Sequence, residues 1–201
     1  MIKAIIFDLG DTFIHYKNDA FYKGIAELLK IDFKTVEKEA KKLLPNFERG
    51  NIKEKEFWRR LSSTLKIKMD KIDYKNFLTE DFAKKSKLNR SMENLVVKLG
   101  KVKFKTAIIS NTIEPHIKHS IRKNWFKNFN ISILSAKVGM RKPERGIYLY
   151  TIKRLGVKPS ECIFIDNKEK YLNPAKRLGM KTILFKNYSQ LKNDLKKMKL
   201  L

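Results

Sequence analysis

Residues Ile5-Ile6-Phe7 form an apolar run that stops on Asp8. A strand that is apolar at consecutive positions has both faces covered, as in a parallel sheet clothed by helices. The carboxyl end of such a strand is where open α/β sheets keep their chemistry. The arrangement recurs: Thr106-Ala107-Ile108-Ile109 stops on Ser110-Asn111-Thr112, Cys162-Ile163-Phe164-Ile165 stops on Asp166-Asn167, and Lys142 sits in a loop between them. From about residue 91, helix and strand patterns alternate, with strands expected near 105–110, 131–134, 161–165 and 181–185. Helices are expected up to about 101, near 114–124, 144–155 and 171–178, and from about 188. The expected fold class is α/β, a doubly wound parallel sheet. Because parallel strands share a direction, Asp8, Ser110, Lys142 and Asp166 should meet at one sheet edge.

Between the first strand and residue 100 the pattern is helical, with no strand candidate. Helices near 18–30, 34–48, 53–66 and 71–85, with Asp32, Asn51 and Asp70 near their boundaries as capping residues, suit an antiparallel four-helix insert. The expected organisation is a core of residues 1–14 and 91–201 with a helical cap over 15–90.

Lys and Arg number 46 against 21 Asp and Glu, a formal charge of +25. The excess is +8 over residues 15–90 and +17 elsewhere, with no Arg-rich tail and no interleaving of basic and aromatic residues. It reads as a solvated lysine surface that draws anions in, and a nucleic-acid partner is allowed but not expected. No run approaches the roughly 18 apolar residues that span a bilayer, and Met1-Ile2-Lys3 leads straight into a strand, so a cytoplasmic protein without a membrane partner is expected. The single cysteine, Cys162, lies inside an apolar run and reads as a core residue.

In order and spacing, Phe7-Asp8-Leu9-Gly10-Asp11-Thr12, Ile109-Ser110-Asn111-Thr112, Val138-Gly139-Met140-Arg141-Lys142-Pro143 and Phe164-Ile165-Asp166-Asn167 resemble the motifs of the haloacid dehalogenase superfamily of hydrolases. Ala175-Lys176-Arg177-Leu178-Gly179-Met180-Lys181-Thr182 resembles the family's helix and turn into the last core strand. Phe47-Glu48-Arg49-Gly50-Asn51-Ile52 with Phe57-Trp58 looks like its cap segment. The resemblance implies a Rossmann-like core with an inserted helical cap, and Mg²⁺-dependent hydrolysis of small phosphate monoesters through an aspartyl phosphate.

On that reading Asp8 is the nucleophile, since a carboxylate that attacks a phosphoryl centre splits one hard displacement into two easier ones. Asp166, Asp8 and the carbonyl of Gly10 supply the hard oxygens that Mg²⁺ takes, and the ion lets two carboxylates approach an anionic substrate. Ser110, Asn111 and Thr12 would bind the phosphoryl oxygens, with Lys142 opposing their transition-state charge. Arg141 reads as a surface residue.

The sequence also departs from the family pattern. Gly10 stands where these phosphatases usually carry a second aspartate as acid/base, leaving Asp11 as the candidate for that role. Asn167 stands where a second late carboxylate is common, and Tyr171 where an asparagine is common. His15, in the first linker, is a candidate substrate contact; His116 and His119, i,i+3 on an expected helix, read as a surface pair rather than a zinc site. Two rival functions remain: a weakly active or non-catalytic phosphate- or polyanion-binding protein, and a dehalogenase, whose relatives also lack the second aspartate but act without the metal that Asp166 suits. Substrate identity and oligomeric state are not legible.

Overall fold

The computed structural model describes residues 1–17 and 19–201, with the backbone only at Lys71. β1 (Ala4–Phe7) leads through a tight turn into the two-residue β2 (Ile14–His15), and four helices follow: α1 (Ala20–Leu29), α2 (Phe33–Glu48), α3 (Glu54–Thr64) and α4 (Phe77–Lys85). β3 (Lys87–Leu88) then pairs antiparallel with β2, Ile14 opposite Leu88. Next come α5 (Arg90–Lys101), β4 (Lys105–Ser110), α6 (Glu114–Arg122), β5 (Ile131–Leu134), α7 (Ser135–Val138) and α8 (Arg145–Leu155). The chain closes with β6 (Cys162–Asp166), α9 (Glu169–Arg177), β7 (Lys181–Leu184) and α10 (Tyr188–Lys197).

The main sheet runs β5-β4-β1-β6-β7, and every pairing in it is parallel. β1 is central, with Ile6 opposite both Ala107 and Phe164. Alternate residues serve opposite faces, which is why the strands are apolar without interruption. Ile5, Phe7, Ile108, Ile163 and Ile165 pack under α5 and α10, through Leu95, Leu99, Leu191 and Leu195. Ala4, Ile6, Ala107, Ile109 and Phe164 pack under α8 and α9, through Ile147, Tyr148, Leu172 and Ala175. Cys162 belongs to this second layer. The winding order brings the carboxyl ends of β1, β4 and β6 side by side.

The helices between β2 and β3 enclose a core of their own, with Phe21, Ile25, Val36, Phe47, Phe57, Trp58 and Leu61 all buried. Phe47 and Phe57 stack at 4.7 Å. Ile113, from the turn after β4, joins this cluster and ties the helical unit to the sheet. Asp32 caps α2, accepting the Thr35 N–H at 2.9 Å. Asn51 and Asp70 do not cap: Lys53 precedes α3, and Asp70 lies in a 3-10 turn at Met69–Lys71. The expected fourth helix begins late, at Phe77, because the chain extends to bury Ile72 and re-enters helical geometry through Asn76 at φ 60°, a conformation asparagine tolerates. The β2–β3 ribbon corrects the expectation of no strand before residue 100; two residues are too few to show a period of two. Among the described residues, no helix is long and apolar enough to cross a membrane.

Candidate active site

Asp8 follows β1 directly, its N–H bonded to the carbonyl of Ile165 at 2.8 Å, which holds the first and last motif loops in register. Lys142 lies across these strand ends, its Nζ 2.5 Å from Asp8 Oδ1 and 2.6 Å from Asp166 Oδ2. Lys142 and Asp166 are fully buried and Asp8 nearly so. Burial alone would push the Lys142 ammonium down, but the two carboxylates outweigh it and hold its pKa above the usual lysine range. Burial pushes the Asp166 carboxyl up, against the pull of Lys142. The two acids thus account for the Lys142 shift, and burial with the neighbouring Asp8 charge for that of Asp166.

The loop bearing Lys142 is held from two sides. Asn111 donates from Nδ2 to the Lys142 carbonyl at 2.8 Å and accepts the Lys142 N–H on Oδ1 at 2.7 Å. Asn111 also lines the cleft: holding Lys142 uses one of its two Nδ2–H donors and leaves the other. Beside it, Ser135 Oγ accepts the Thr112 N–H at 2.8 Å and donates to the Thr112 carbonyl at 3.0 Å, bracing the turn after β4. From the helical unit, Glu48 accepts from Arg141 at 2.6 Å and 2.8 Å, and Arg49 pairs with Glu144. Gly50 brings this corner in close: at φ 73°, any Cβ there would lie 2.5 Å from the carbonyl oxygen of Ala136.

Arg141 is therefore not a surface residue, since its side chain is 19% exposed and matched to a nearly buried acid. Burial pushes the Glu48 carboxyl up, while Arg141 opposes that shift. The sequence marked the Phe47–Ile52 segment but not Glu48 within it, because the match across 93 residues is visible only once the chain is folded.

A cavity of about 500 Å³ opens between the sheet edge and the helical unit. Its sheet side carries Asp8, Gly10, Ser110 and Lys142, and its helical side Phe21, Tyr22, Phe82 and Glu48. Asp11 and His15 do not line it; they face a separate hollow of about 400 Å³ on the other side of the turn. Asp11 sits at φ 53° with Oδ1 accepting the Tyr16 N–H at 3.2 Å, so its carboxylate braces the turn. Thr12 is also outside the cleft: it is 1% exposed and its hydroxyl has no partner among the described residues. His116 and His119 are buried, not a surface pair. His116 stacks on Phe82 at 4.0 Å and burial pushes its pKa down to about 3. The helical period placed them on one face but could not show that α4 covers it.

Among the described residues, no three His, Cys, Asp or Glu cluster as metal ligands. A donor set for a small hard cation is nevertheless present in another form. Asp8 and Asp166 converge, Gly10 lines the same cavity, and the Asn167 side-chain oxygen is buried without a partner. Two carboxylates plus neutral oxygens and water suit Mg²⁺, which keeps much of its hydration, better than zinc.

Residues 2–185 match the family described as haloacid dehalogenase-like hydrolase. The chain is 28% identical over 208 residues to a glyceraldehyde 3-phosphate phosphatase of Methanocaldococcus jannaschii, covering 96% of this chain and 90% of that one. It is 33% identical over 115 residues to bifunctional epoxide hydrolase 2 of Rattus norvegicus, covering 55% of this chain and only 21% of that much longer relative. Its fold is similar to that of a HAD family enzyme from Bacteroides thetaiotaomicron in complex with magnesium and inorganic phosphate. The TM-score is 0.76 at 23% identity, over 95% of this chain and 99% of that one.

Proposed function

The chain belongs to the haloacid dehalogenase-like hydrolases, and from that premise we propose that it hydrolyses a small phosphate monoester with Mg²⁺, through an aspartyl phosphate on Asp8. The observation that carries this is the Lys142 ammonium held between Asp8 and Asp166 at the floor of the cleft. Lys142 holds one carboxylate oxygen of Asp8 and leaves the other to attack phosphorus. As that O–P bond forms, the bond to the ester oxygen breaks and the departing alkoxide takes up a proton from solvent water. Water then attacks the phosphorus of the aspartyl phosphate, releasing phosphate and restoring the Asp8 carboxylate.

Asp8, Asp166 and the Gly10 carbonyl would hold Mg²⁺, whose chemistry there is to offset the phosphoryl charge. Ser110 and neighbouring N–H groups at the strand end would take phosphoryl oxygens. The helical unit acts as the cap that encloses the alcohol portion and excludes water. With Gly10 in the second acidic position, no carboxylate on that turn faces the ester oxygen, so an enzyme that depends on its leaving group is expected. The name of the archaeal relative and the ligands of the bacterial structure support the phosphatase reading. A panel of phosphate esters with and without Mg²⁺ tests it, and Asp8→Asn should abolish turnover. Mg²⁺-dependent hydrolysis surviving in that variant would rule out the nucleophile.

A further inference from the structure

Two cations of the cleft have no acid in ion-pair contact, although its formal charges are nearly balanced. Lys142 is matched by Asp8 and Asp166, Arg141 by Glu48, and Lys41 by Glu37 at 2.9 Å. Lys168 and Lys170 line the same cavity, and neither has a carboxylate at ion-pair distance among the described residues. Their ammonium groups lie 5.6 Å and 5.2 Å from the centroid of the Tyr171 ring, which Lys142 also reaches at 4.8 Å. Tyr171 is 9% exposed and lines the cavity, with no hydrogen-bond partner for its hydroxyl among the described residues.

Folding alone does not favour this group. Three cations around one ring repel one another, and two of them stand at the start of α9, where the helix dipole favours acids. Lysines on a solvated face spread apart; here Lys168 is half-buried and lines the cleft. Cations that line a cavity without an acid in contact are placed to take an anionic group. The ester phosphate already has the ion triad and the β4 turn to receive it.

We propose that the alcohol portion of the substrate carries a second anionic group, a carboxylate or a second phosphate, held by Lys168, Lys170 and the Tyr171 hydroxyl. This deepens the phosphatase reading and rests on it. The cavity volume of about 500 Å³ suits a small molecule with both groups.

The test compares ethyl phosphate with two esters of similar size, a hydroxy-acid phosphate and a diol bisphosphate, which separates carboxylate from phosphate as the second anion. Wild type should prefer one or both anionic esters in kcat/KM by about 10- to 100-fold, the worth of one or two charge-assisted hydrogen bonds. The Lys168→Gln, Lys170→Gln double variant should lose that preference, and Lys170→Arg should keep it. Lys170 is exposed, so Lys170→Gln alone provides a folded variant if the double change does not fold. Calorimetric binding of phosphonoacetate against methylphosphonate repeats the comparison without turnover. A binding preference without hydrolysis of any ester would refute the phosphatase and leave the second-anion site standing. Absence of preference in wild type, its persistence in the variants, or equal losses for all three esters would overturn the proposal, the last by assigning the lysines to the ester phosphate itself.

Discussion

The two walls of the cleft are held by different physics. The sheet wall is a buried polar lattice: Asp8, Asp166 and Lys142 satisfy one another, Asn111 fixes the main chain of Lys142, and Ser135 braces the next turn. The helical wall is made of rings, Phe21, Tyr22 and Phe82, and meets the sheet through two partly exposed ion pairs, Glu48–Arg141 and Arg49–Glu144. A buried lattice is costly to disturb, whereas a wall of rings and bridges can shift with modest loss. The sheet wall is thus suited to fixing reacting groups, and the helical wall to choosing and releasing what they act on.

Lys142→Met should give the largest effect, because it leaves Asp8 and Asp166 facing each other without a cation. Removing one member of a buried ion group costs about 3–5 kcal/mol, readable from denaturant unfolding at neutral pH. Turnover should fall by at least about 10²- to 10³-fold, the worth of one fixed charge aimed at a transition state. An unchanged unfolding midpoint would break the contrast, since the triad would then not be the rigid part.

What the sequence revealed follows the same division. Strands buried on both faces announce themselves by unbroken apolar runs, and the polar residue ending each run marks the sheet edge, so Asp8, Ser110 and Asp166 were legible one strand at a time. Roles that depend on which way a turn sends its side chains were not. Asp11 and Thr12 follow Gly10 by one and two residues, yet one braces the turn and the other is buried behind it. Arg141 adjoins Lys142, and only the meeting of Glu48 with it across the fold shows that it is not solvated. His116 and His119 have the spacing of a surface pair, and the cover supplied by α4 has no local signal.

Gly10→Asp sharpens the comparison by adding to the rigid wall. Gly10 is not in the left-handed region, and a Cβ there would meet nothing within 4 Å. Restoring a carboxylate should raise turnover of an alkyl phosphate by about 10²-fold and of an activated aryl phosphate by much less, since only the former needs its leaving group protonated. Asp11→Asn keeps an oxygen for the Tyr16 N–H and should act alike on both esters. A selective loss on the alkyl phosphate would return the acid/base role to Asp11.

Across the movable junction, Glu48→Gln and Arg141→Gln form a double-mutant cycle. Their coupling should be about 2 kcal/mol, as for contacting charges that share a partly buried pair. It should appear mainly in KM, because the pair spans the walls without touching the reacting atoms. Coupling confined to kcat would mean that Arg141 acts on Lys142 rather than on the closure of the cleft.

The smallest effect concerns the contact between α6 and the helical wall. His116, from α6, stacks on Phe82 of α4 and meets the edges of Tyr16 and Phe21, at 5.5 Å and 6.1 Å between ring centroids. Burial, and behind it the nearby charge of His119, lower its pKa from 6.5 to about 3. Above pH 6.5 the ring is neutral whether the chain is folded or not, and its contribution is complete. Below that, the unfolded chain takes up a proton that the folded protein refuses, so stability falls as pH drops toward 3. At pH 5.5 the loss attributable to this ring is about 1 kcal/mol. His116→Phe keeps a planar ring against Phe82 and removes the titration, so its stability should fall less between pH 7 and pH 5.5 than that of wild type. Parallel pH profiles from urea unfolding would show that the ring is hydrated in solution, and that the helical wall packs more loosely on α6 than the stacking of His116 on Phe82 implies.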